Sequence, residues 1–99
     1  ELRSVRGAAD ARGIRLIVAA GEVLAENPVA VFAAAAAVGA PVVRCILSRV
    51  LCGERAAQPG GWEHHLQRCA QALESWVPAA ERAGIPVAVE NHQDADSRD

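Results

Sequence analysis

The sequence predicts an α/β fold in which three parallel strands alternate with helices. Three observations carry this expectation. The stretches 14–20, 42–48 and 87–92 begin with branched apolar residues, and each follows a Gly or Pro. The segments between them have helical spacing and helix start and stop signals. The connections are long enough for helical crossovers, which join neighbouring parallel strands with a right-handed path.

Residues 1–12 read as the end of a helix. Leu2, Val5 and Ala9 share one face, arginines and Asp10 surround it, and Gly13 is a natural terminator. The first strand is expected over 14–20, an apolar run broken only by Arg15. Gly21 and Glu22 then fall at its C-terminal mouth. Glu22 is read mainly as a solvated loop carboxylate and secondarily as a site residue. Asn27-Pro28 is a strong helix start, with Asn as N-cap and Pro in the first turn. That helix runs through Val31, Phe32, Ala35 and Val38 until Gly39 and Pro41 stop it.

The second strand is expected over 42–48. Val43, Cys45 and Leu47 form the row facing helices; Val42, Arg44, Ile46 and Ser48 form the opposite row. An arginine in the middle of such a strand is costly unless paired. Arg44 therefore either contacts a ligand at the strand end or forms an ion pair with an interior carboxylate. Ser48 and Arg49 are weaker candidates. Residues 50–61 read as a loop punctuated by Gly53, Pro59, Gly60 and Gly61. A long helix follows over 62–83, with Trp62, Leu66, Cys69, Leu73, Trp76 and Ala80 on one stripe. Pro78 should kink or break it about one turn earlier. His64 and His65 are adjacent, so they cannot pair as metal ligands at a spacing of four, and both are expected to face solvent.

The third strand runs straight into polar side chains: Pro86-Val87-Ala88-Val89-Glu90-Asn91-His92. Val87 and Val89 share one face, while Ala88, Glu90 and His92 share the other. A strand packed on both faces that opens onto a carboxylate and an imidazole suits a ligand site at its C-terminal end. The segment 94–99 reads as the approach to another helix, with Asp96 or Ser97 as its N-cap.

The composition sets outer limits. A chain of 99 residues with net charge -2 is one domain at most. An apolar content of 52% excludes disorder. Alanine supplies much of that content, however, so the core buries little area at about 25 cal/mol per Å². The pI near 5.9 and the lack of a basic run argue against nucleic-acid binding. No stretch approaches the ~20 apolar residues of a membrane span, and no signal pattern opens the chain. By default the chain is expected in the cytoplasm and away from membranes. Cys45, Cys52 and Cys69 lack paired spacing and read as buried free thiols.

The run Ala83-Gly84-Ile85-Pro86-Val87-Ala88-Val89-Glu90-Asn91-His92-Gln93-Asp94 resembles a segment of the xylose-isomerase-like superfamily, the sugar (phosphate) isomerase/epimerase type of TIM barrel. Val38-Gly39-Ala40-Pro41-Val42-Val43-Arg44 is similar to an upstream stretch of the same family. The resemblance implies a partial (β/α)8 TIM barrel over 1–99, truncated at both ends, because a whole barrel takes about 250 residues. It also implies metal-dependent isomerisation or epimerisation of a sugar or polyol by proton abstraction next to a carbonyl. Glu90 is then the expected divalent-metal ligand (Mn, Mg, Co or Zn), with acid/base duty. His92, Asn91 and Arg44 are the expected substrate contacts. The remaining metal ligands would lie outside this chain, which alone is expected to be inactive. Two alternatives stand beside this reading: a phosphodiesterase like endonuclease IV, and a non-catalytic α/β half-barrel module. Exposed sheet edges point to self-association.

Overall fold

The computed structural model describes residues 1–92, 94–95 and 98–99. Among them the order is α1 (Leu2–Asp10), β1 (Val18–Glu22), α2 (Pro28–Val38), β2 (Val43–Ile46), a 3-10 turn (Cys52–Ala57), α3 (Trp62–Glu74), α4 (Val77–Ala83) and β3 (Val87–Val89). The strands form one parallel sheet in the order β1-β2-β3. The fold is therefore α/β, with a small three-stranded parallel sheet alternating with helices.

Local chemistry explains most boundaries. The Asn27 side chain accepts from the backbone N–H groups of Val29 (3.0 Å) and Ala30 (3.3 Å), which starts α2. Gly39 and Gly84 end α2 and α4 with φ of 68° and 66°, a conformation that a Cβ disfavours. The helical stretch 62–83 breaks at Ser75 and Trp76, and Pro78 stands in the first turn of α4.

One face of the sheet carries the core. Val43 and Cys45 are fully enclosed there by Phe32, Ala35, Cys69, Trp76 and Ala79 from the helices. Phe32 and Trp76 meet edge to face, with centroids 6.2 Å apart at 85°. Among the described residues no helix covers the opposite face: Ala19 and Ala88 are exposed and Arg44 is half-buried.

Several expectations need correction. β1 starts at Val18 rather than at residue 14. The first strand partner in β2 is Val43, opposite Val18, so 14–17 have no strand beside them, and Ile14 and Ile17 are exposed. The 50–61 loop contains the 3-10 turn. Cys52 lies on that turn and is exposed, whereas Cys45 and Cys69 are buried. The expected N-cap residues Asp96 and Ser97 lie outside the described residues. No helix among the described residues is long and apolar enough to cross a membrane.

Candidate functional site at the strand ends

The backbone brings the candidate residues to one end of the sheet. β3 pairs with β2 through Val43–Val87, Arg44–Ala88 and Cys45–Val89. The Glu90 N–H continues this ladder onto the Cys45 carbonyl at 2.8 Å. Glu90 therefore sits one pleat beyond Ala88, in the row of Arg44. The two side chains form an ion pair, with 38% and 40% of their surfaces exposed. Arg44 therefore has the carboxylate partner that one of its two readings required.

A bulge places a second carboxylate in the same row. Ala19 pairs with Arg44, and Glu22, three residues on, pairs with Ile46, only two residues on. The extra residue in β1 shifts Glu22 from the core row to the Arg44 row. A Cβ at Gly21 would come within 2.6 Å of Glu26 Oε1, the far end of an exposed, flexible side chain that can move aside. Glu22 is therefore a strand-end residue and not a free loop carboxylate. Its Oε1 lies 3.2 Å from Arg49 Nε, and its Oε2 accepts from the Arg49 N–H at 3.1 Å.

The two arginines border an open concavity of ≈ 560 Å³, lined by Arg44, Ile46, Arg49, Leu51, Glu26 and His92 among others. His92 and Asn91 are exposed. Asn91 and Glu90 border a neighbouring, more apolar pocket of ≈ 270 Å³ with Leu47, Leu66 and Leu73. Arg44 and His92 thus share one cavity, while Glu90 lines the other and meets the first through its ion pair with Arg44.

Behind the rim lies a buried polar cluster that the sequence reading missed. Asp94 is 0% exposed, and its Oδ2 accepts from both the Ser48 N–H (2.7 Å) and the Ser48 hydroxyl (2.9 Å). His65 Nε2 lies 2.9 Å from Ser48 Oγ and 3.6 Å from Cys69 Sγ. The expectation that His65 faces solvent is wrong: it is 5% exposed and stacks on Trp62 with centroids 5.1 Å apart. The signal was present in the helical spacing. His65 is three residues after Trp62 and four before Cys69, within the buried stripe of α3. His64 does face solvent.

Burial pushes His65 below the ordinary imidazole value; Arg68 adds to the shift, and Asp94 and Glu22 oppose it. Burial raises the Cys45 thiol, with Arg44 opposing. Cys69 is raised by burial and by Asp94, with Arg68 opposing. Ser48, His65 and Asp94 do not form a nucleophilic triad, because the carboxylate holds the serine and not the histidine.

Among the described residues, no three His, Cys, Asp or Glu side chains gather into a metal-binding group. Glu90 is engaged by Arg44, and Asp94 is engaged by Ser48. These residues do not by themselves make a metal centre, since Mg²⁺ and Mn²⁺ require more oxygen donors.

Comparison with known proteins gives no match to a family model, a curated protein or a solved structure.

Proposed function

We propose that this chain supplies three strands of a (β/α)8 barrel, and that their C-terminal rim belongs to a sugar or polyol isomerase or epimerase. The observation that carries the reading is the position of Glu90. Its carboxylate stands one residue past β3, in the row of Arg44 and beside the cavity that His92 borders. The residue pattern over 83–94 supports it as well.

In this reading Glu90 contributes one ligand to a divalent metal whose other ligands come from outside the described residues. When bound, the metal would stabilise negative charge developing on substrate oxygens. Arg44 orients the Glu90 carboxylate, and Glu90 moves a proton next to the substrate carbonyl. His92 and Asn91, exposed at the rim, hydrogen-bond hydroxyl groups. The Arg49–Glu22 pair and Arg44–Glu90 pair leave these two cations compensated, which disfavours the phosphodiester-cleaving alternative.

The uncovered sheet face favours a second reading, a non-catalytic half-barrel module that docks on a partner. Parallel sheets ordinarily have both faces covered. Solvent exchange separates the two. A protein carrying this segment with its neighbouring strands should exchange the α-proton of a ketose with D₂O when Mn²⁺ is present. Glu90→Gln should abolish the exchange. Exchange that survives this substitution removes Glu90 from the chemistry, and a protein with no exchange on any sugar supports the module.

A further inference from the structure

We infer that Ser48, His65 and Asp94 form a buried positioning relay that holds the 90–92 segment in place at the strand ends. The functional weight of this relay rests on the reading of Glu90 as a site residue; its structural content does not.

The segment is tied to the β2 side of the molecule at both ends. At its start, the Glu90 N–H bonds the Cys45 carbonyl at 2.8 Å. Two residues beyond its end, Asp94 takes two hydrogen bonds from Ser48, which is three residues after Cys45. Asn91 and His92 stand exposed between the ties. A rim segment held at both ends loses less freedom when it binds a ligand than one held at its start alone.

The proton inventory gives the relay a direction. A carboxylate only accepts, so the single hydroxyl proton of Ser48 goes to Asp94 Oδ2. Ser48 Oγ then accepts, from His65 Nε2–H at 2.9 Å and from the Val50 N–H at 3.4 Å. The neutral imidazole therefore carries its proton on Nε2. The Cys69 thiol is directed at the Leu47 carbonyl, 3.8 Å away. Every donor in this relay has an acceptor, Asp94 Oδ1 is buried without a partner among the described residues, and α3 is linked through the relay to Asp94, two residues beyond the rim segment.

Two measurements test the relay. Imidazole ¹⁵N spectra of the unmodified protein near pH 7 should show His65 as the Nε2–H tautomer. The Nδ1–H tautomer would overturn the proposal, because Nε2 would then compete with Asp94 for the hydroxyl proton. The second measurement is amide exchange in Asp94→Ala and in the isosteric Asp94→Asn. Losing the far tie should speed exchange of the Glu90 amide by about tenfold or more relative to the Val43 amide, which bonds the Pro86 carbonyl at the other end of the same strand pair. Asp94→Asn keeps an acceptor and should restore most of the protection. Equal acceleration at both amides, or none at Glu90, would overturn the relay. If Asp94→Ala does not fold, the tautomer and Asp94→Asn decide. Failure of sugar exchange with these results intact would remove the isomerase reading and leave the relay standing.

Discussion

Arg44 and Glu90 pair across the β2–β3 boundary, one pleat apart in register, where the sheet stops being covered by helices. The pair is partly solvated, so it contributes little to folding. Glu90→Gln should cost no more than about 1 kcal/mol in urea unfolding, with a similarly small coupling to Arg44→Gln in a double-mutant cycle. A loss several times larger would mean that the pair is structural rather than poised at a site.

Acid should weaken the fold through His65. Its folded value is depressed by burial, so the unfolded chain binds a proton more readily. The stabilisation from keeping it neutral is complete above its unfolded value of about 6.5 and is lost as pH falls from there toward the folded value. His65→Gln should flatten this part of the stability profile, measured by chemical unfolding between pH 5 and 8. An unchanged slope would show that other groups set it.

The three thiols should react unequally. Cys52 is exposed, while Cys45 and Cys69 are buried with raised values. A thiol reagent at pH 8 should modify one cysteine in the native protein and three in denaturant. Mass spectrometry of the native adduct should locate the label on Cys52.

The core should be sensitive at Trp76, which is 1% exposed and packs edge to face on Phe32. Trp76→Ala should cost about 3–5 kcal/mol, much of the stability of a domain this size. Asn27→Ala should cost about 1 kcal/mol through loss of the α2 cap, and Asn27→Asp much less. Thermal unfolding orders the three variants.

The parts of the fold legible in the sequence are those fixed by nearby residues. Asn27-Pro28 and Gly39 bracket α2, Pro78 separates α3 from α4, and the alternation of Val43, Cys45 and Leu47 marks the core row. Glu90 and Arg44 could be placed in one row because strand parity is local. Misplacements came where partners distant in sequence decide. The start of β1 depends on where β2 begins, and the row of Glu22 depends on a bulge. The tie between Ser48 and Asp94 spans 46 residues. Asp94 closes the run 83–94 that carries the resemblance, but its burial against Ser48 is not legible there, whereas His65 was recoverable from its place in the α3 stripe.

The position of Glu90 is tested most directly by paramagnetic broadening. Substoichiometric Mn²⁺ added to a ¹⁵N-labelled protein that carries this segment with its neighbouring strands should broaden the Glu90 and His92 amide signals before those of exposed carboxylates elsewhere, such as Glu63 and Glu81. Glu90→Gln, which should leave the fold intact, should remove that preference. Broadening centred on other acids, or unchanged by Glu90→Gln, would contradict a cation-gripping carboxylate at the end of β3.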